Sequence, residues 1–214
     1  MFSMWGIEHY WLFILSSILL NITPGSDTIY ILSRSVFQGK QAGLMSVYGI
    51  IAGSCVHTLL AGLGLSLILM QSAFAFNLVK WIGAGYLIWL GIRSLMTRHE
   101  AGTGLQQTSG QSLRKVFFQG MLTNVLNPKV ALFFLAFIPQ FVDPTQSMGA
   151  LPFLLLGFTF SVTGLCWCLL LVFFSSKLAH RLQSSRVSRY MNRITGSVFV
   201  LLGLNLLRTT RTMP

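Results

Sequence analysis

Acidic side chains are nearly absent from this sequence: four Asp and Glu stand against 15 Lys and Arg in 214 residues. Charge of either sign is scarce. Only 9% of residues are charged, whereas a soluble domain carries about a quarter. That shortage excludes an ordinary water-soluble domain. Hydrophobic residues make up 53% and the mean hydropathy is +0.69. They lie in long runs that do not alternate, which reads as an all-α integral membrane protein.

Other absences exclude further classes. The three cysteines, Cys55, Cys166 and Cys168, all fall within apolar runs, and Cys166-Trp167-Cys168 has neither metal-ligand nor redox spacing. They read as inert core thiols. No paired His or His/Glu spacing for a metal occurs, so no metal site is expected. Gly62-Leu63-Gly64 and Gly83-Ala84-Gly85 lack the Lys-Ser/Thr of a phosphate loop, and no cofactor is expected. Ser26 and Ser54 have no base and acid at usable positions, so no catalytic residues are assigned. The first twenty residues lack the basic start and small-residue cleavage site of a signal peptide. The net charge of +11 does not point to nucleic acid, because the cations sit between apolar runs without interleaved stacking aromatics.

Six spans fill the chain. The first runs from Glu8 to Ser33, with Trp5, Tyr10 and Trp11 where an interfacial aromatic belt would stand, and Pro24 breaks it. Arg34 and Lys40 mark the following loop. The second span, Gly43 to Met70, is rich in small residues and carries Gly49-Ile50-Ile51-Ala52-Gly53. That GxxxG pattern serves packing within the chain or a homo-oligomer, and packing within the chain is favoured. The third runs from Leu78 to Leu95. Residues 97–114 form a polar linker on Gly, Ser, Thr and Gln. The fourth, Val116 to Ile138, is broken at Pro128, and the fifth runs from Ala150 to Phe174. The sixth runs from Ile194 to Leu207.

Arg34, Lys40, Arg93, Arg98, Arg114, Lys115, Lys177, Arg181, Arg186, Arg189 and Arg193 follow the first, third and fifth spans; Lys80, Arg208 and Arg211 fall on the other side. The positive-inside rule puts the first group in the cytoplasm and both termini outside. Residues 1–96 and 115–214 then form two halves of three spans each. Both begin with a span broken at Asn and Pro, and both end on similar runs, Trp81 to Gly91 and Arg193 to Gly203, with a one-residue shift. Three spans per half is an odd number, so the second half inserts upside down. The expected architecture is six transmembrane helices as two inverted repeats, with a site at their interface.

That site centres on Asn21-Ile22-Thr23-Pro24-Gly25-Ser26-Asp27-Thr28 and Asn124-Val125-Leu126-Asn127-Pro128-Lys129. A proline removes a backbone donor and frees carbonyls of the preceding turn, and a charge at membrane depth is costly. Asn21, Pro24, Gly25, Asp27, Asn124, Asn127, Pro128 and Lys129 are the expected binding and coupling residues. A zwitterionic amino acid complements them: its ammonium near Asp27 and the broken-helix carbonyls, its carboxylate near Lys129 or the amides after Pro128. The bland alternative is a pair of packing kinks with one static Asp27–Lys129 pair. Thr23 and Thr28 are expected to satisfy freed backbone groups. His57 is a candidate proton relay, though a lone intramembrane His more often packs as a neutral hydrogen-bonded ring. Phe133, Phe134 and Phe137 are expected on a lipid-facing or core surface.

Both broken segments resemble the signatures of the LysE/RhtB family of bacterial amino-acid exporters. Asn21 to Thr28 is similar to its first-span Pro-Gly-Pro-Asp signature, with Ser26 in place of the second Pro. Gly120 to Lys129, followed by Ala131-Leu132-Phe133-Phe134 and Phe137-Ile138-Pro139-Gln140-Phe141, resembles the second, and Gly85 to Gly91 resembles its third-span pattern. The resemblance implies six helices, the bacterial inner membrane, and export of amino acids, in exchange for protons. The resulting expectation is a secondary exporter of a neutral or basic amino acid, with neutral (homoserine-, threonine- or leucine-like) favoured because one acidic centre would serve both substrate and proton, and no enzyme, with the substrate, protons and the bilayer as partners. The alternatives are a transporter of another solute or metal ion, and a membrane enzyme or structural subunit that does not transport.

Overall fold

A computed structural model describes residues 5–65, 78, 81–82, 84–85, 88–89, 91–92, 95–96, 111–143, 148–175, 193, 196–197, 200–201, 203–204 and 207. Among them every named element is helical, and the sole extended pairing is one bridge between Ile7 and Val142. Six α-helices are complete: α1 (Tyr10–Ile22), α2 (Ser26–Phe37), α3 (Lys40–Leu60), α4 (Leu113–Val125), α5 (Pro128–Leu132) and α6 (Leu151–Phe173). Two helices, Lys40–Gly64 and Leu151–Phe173, are long and apolar enough to cross a membrane unaided. Two more spans result if each bent pair counts as one: α1 with α2, bent by 51°, and α4 with Pro128–Phe141, bent by 47°. The expected third and sixth spans are described only at scattered helical residues. The linker at 97–110 and the cations Lys80, Arg93, Arg98, Lys177, Arg181, Arg186, Arg189, Arg208 and Arg211 lie outside the described residues.

Local chemistry sets the boundaries. Gly25 is extended at φ −156°, and α2 restarts directly after it. Gly39 takes φ +91°, a left-handed turn that glycine adopts without strain, so α3 begins at Lys40 rather than Gly43. The first span does not stop at Ser33. It runs on to Phe37 because Arg34 is no loop cation: it is 3% exposed, inside α2. After α5 the chain widens into a π-helical stretch, Phe133–Phe137, and then tightens into a 3₁₀ turn, Ile138–Phe141. The head closes on that turn, with the Glu8 amide donating to the Phe141 carbonyl at 2.8 Å.

Lipid is as apolar as the side chains, so water exclusion does little to hold such helices together; close backbone approach and hydrogen bonds do. The glycines show where. A Cβ on Gly49 would collide with the Phe117 carbonyl, and one on Gly53 would sit 2.7 Å from Asn124 Cβ. The GxxxG face of α3 therefore packs against α4 in the same chain. Gly91 and Gly196 meet likewise: a Cβ on Gly91 would fall 2.6 Å from the Gly196 carbonyl.

Two buried apolar clusters result. One gathers Phe13, Leu20, Phe133, Phe134, Phe137, Phe153, Leu156 and Phe160. Phe133, Phe134 and Phe137 are thus interior, not lipid-facing. The other gathers Ile31, Leu32, Val47, Ile50, Cys168, Leu171 and Val172. α6 is unbroken and belongs to both. The two helix breaks fall between the clusters, and polar groups collect there.

Candidate functional site

Pro24 ends α1. The Thr23 amide and hydroxyl fold back onto the last turn, and the hydroxyl donates to the Leu19 carbonyl at 2.7 Å. Thr23 therefore satisfies backbone, as expected. The carbonyls of Leu20 and Thr23 point onward and accept from Lys129 Nζ at 3.1 and 3.0 Å. Gly25 makes room for that ammonium, since a Cβ there would stand 3.3 Å from Nζ. A helix C-terminus is the negative end of its dipole, so a cation is well placed.

Asp27 opens α2, at the positive end of a helix. Its carboxylate accepts from Asn124 Nδ2 at 2.8 Å and from Asn127 Nδ2 at 3.0 Å. The Ser26 hydroxyl adds a longer bond of 3.3 Å. Hydrogen bonds to a charged acceptor are about twice as strong as neutral ones. Both amides come from the second break. Asn127 also caps α5, accepting from the Lys129 amide at 3.0 Å, with Pro128 at the first position of the helix, where no donor is needed.

The two charges thus bond separately, and among the described residues no ion pair joins them. The carbonyls expected to receive a substrate ammonium are already held by Lys129. Asn21 faces α6 instead, donating to Thr163 Oγ1 at 3.1 Å, beside Gly164. His57 stacks on Phe134 with ring centroids 5.5 Å apart. Its Nε2 lies 3.2 Å from the Asn124 carbonyl, which only accepts, so that nitrogen carries the proton.

These groups enclose a cavity of about 20 Å³, room for a water and too small for an amino acid. Of the expected site residues, Asn21, Asp27, Asn124 and Lys129 line it, while Pro24, Gly25, Asn127, Pro128 and His57 stand behind. Among the other liners, Thr28, Ser54, Trp167 and Cys168 carry a polar or sulfur atom and were not singled out as such by the sequence. Cys168 was expected to be core, and Trp167 went unassigned. The indole Nε1 of Trp167 is buried and has no hydrogen-bond partner. Ser54 lies one turn from His57 on the α3 face that meets Asn124, a spacing that could have found it.

Comparison with known proteins identifies relatives of the chain. The LysE type translocator family matches residues 18–210. An uncharacterized membrane protein of Vibrio cholerae serotype O1 is 33% identical over 92% of this chain and 95% of its own length. Homoserine/homoserine lactone efflux proteins of Salmonella typhimurium and Salmonella typhi are each 32% identical, over 92% of this chain and 94% of theirs. No solved structure matches. The chain belongs to the LysE type translocator family. It is a multi-pass inner-membrane transport protein, and not an enzyme.

Proposed function

We propose that this translocator exports small neutral amino acids, of the size and polarity of homoserine, from the cytoplasm in exchange for protons. The observation that carries the reading is the Asp27 carboxylate at one helix break, held by two amides of the other, with the Lys129 ammonium on the facing carbonyls. In this reading the six spans form two inverted repeats, residues 1–96 and 115–214, joined by a cytoplasmic linker at 97–114, with both termini outside. The paired breaks and the loop-charge asymmetry support it.

The chemistry runs on displacement. A substrate ammonium entering beside Asp27 needs the Leu20 and Thr23 carbonyls, and two ammonium groups cannot share them. Lys129 therefore swings away, toward the substrate carboxylate. Asn124 and Asn127 keep Asp27 aimed at the incoming charge. On release outside, the emptied carboxylate accepts a proton, and the return of the halves delivers it inward. One acid serves substrate and proton in turn, which suits a neutral amino acid better than a basic one. The efflux of homoserine and its lactone named for the relatives fits that class.

The test is efflux from cells overproducing the protein and fed with dipeptides, beside cells carrying Asp27→Asn. One or a few amino acids should appear outside faster, and the substitution should lower that rate at least about a hundredfold, since it weakens two charge-assisted hydrogen bonds worth about 1.5–3 kcal/mol each. Unimpaired export by Asp27→Asn would sink the mechanism. Unchanged efflux of every amino acid would sink the substrate class.

A further inference from the structure

Among the described residues Arg34 is the most deeply buried charge, and the transport scheme above leaves it unused. It is 3% exposed. Its Nη1 donates to Gln38 Oε1 at 2.9 Å, and Nη2 donates to Gln119 Oε1 at 2.8 Å and to Gln111 Oε1 at 3.1 Å. The Tyr30 ring covers it, with Cζ 5.3 Å from the centroid. Every partner is neutral, and Nε is buried with no partner at all. Among the described residues no carboxylate is bonded to it; Glu100, one of the four acids, lies outside them.

A buried guanidinium normally pairs with an anion, because neutral amides return only part of its lost hydration. Three amide oxygens converge here where the oxygens of a carboxylate or another planar anion would bond. Arg34 follows Asp27 by seven residues, two helical turns, so both lie on one face of α2, about 10 Å apart along the axis. Tyr30 lies between them and donates to the Val116 carbonyl at 2.8 Å. That face looks onto α4, where Gly120 leaves space: a Cβ there would stand 3.2 Å from Tyr30 Cε1. The seam between the broken spans is thus polar from Arg34 to Asp27. In the orientation proposed above, Arg34 stands at its cytoplasmic end.

We propose that Arg34 is a carboxylate-binding site at the mouth of this seam. An incoming amino acid replaces the glutamine oxygens on the guanidinium through its own carboxylate, which parts α2 from α4, and its ammonium then passes inward to Asp27. Arginine suits this role because its planar fork matches a carboxylate. The inference rests on the exporter reading and adds to it a second site, one that reads the negative end of the substrate.

Homoserine and its lactone separate the two ends of the substrate. The lactone keeps the ammonium and replaces the carboxylate with a neutral ester. The experiment measures uptake of each labelled compound into everted membrane vesicles at mildly acidic pH, where the ester persists, for the unaltered protein, Arg34→Gln and Arg34→Lys. Arg34→Gln should slow homoserine at least about tenfold, the worth of one lost charge-assisted bond, and leave the lactone within about twofold. Arg34→Lys, keeping the charge without the fork, should fall between. Lactone transport also reports that the variant is folded. Equal loss of both compounds would make Arg34 a structural tie and overturn the proposal, as would unchanged uptake of homoserine. If the unaltered protein moves neither compound, the exporter reading itself falls and takes this one with it.

Discussion

The two helix breaks are built from similar residues and solve their backbone problem in opposite ways. At the second, the chain caps itself: Asn127 takes the Lys129 amide, and its own amide donates to the Asn124 carbonyl at 3.0 Å. At the first, Gly25 offers no side-chain cap, and the last carbonyls of α1 are met by Lys129 from the other segment. Asp27 likewise leans on Asn124 and Asn127. Dependence therefore runs one way. The second break supplies the groups that finish the first. A self-contained element can act as a template, whereas a dependent one moves whenever its partner withdraws, and that asymmetry suits a protein that must change shape around its site.

Beyond loss of Asp27, the largest effect should come from Lys129→Met, which strips both charge-assisted bonds from the first break and leaves the second capped. Thermal unfolding in detergent should show a loss of about 3 kcal/mol or more, with export abolished. A stable, active Lys129→Met protein would break the claim that dependence runs one way. Asn127→Ala should be milder. It removes a cap, for about 1 kcal/mol, and one bond to Asp27, for about a tenfold loss of export. Asn127→Ser sharpens the comparison, because serine still caps α5 but cannot reach Asp27: stability should return and export should not. If both return together, capping is all that Asn127 does. The smallest effect should come from His57→Gln, which keeps a donor near the Asn124 carbonyl. Export should stay within about twofold, with its pH profile unmoved. A displaced profile would make His57 the proton relay.

Much of this was legible in the sequence because prolines and charges are rare inside apolar runs, so each one carries weight. Both breaks and the small-residue face of α3 follow from that scarcity. The fates of individual charges do not. Arg34 follows an apolar stretch and looks like the first cation of a loop, yet glutamines at 38, 111 and 119 bury it. Their contribution depends on packing between segments far apart in the chain. The Lys129 contacts are hidden for a related reason, since its partners are backbone carbonyls, which every residue has. Cys168 was read as core and Trp167 was left unassigned, and only the passage of α6 beside the breaks brings them to the cavity.

The occupation of the Leu20 and Thr23 carbonyls by Lys129 bears on how strongly the proposed carrier would hold its cargo. In the displacement scheme proposed above, the cost of evicting Lys129 from the Leu20 and Thr23 carbonyls is subtracted from the affinity for substrate. Low affinity is a virtue in a device that must let go outside. In that scheme it would also set a threshold, below which Lys129 keeps the carbonyls and above which a surplus of substrate turns the carrier over. On this view the tethered lysine makes the protein a relief valve, silent until its cargo accumulates.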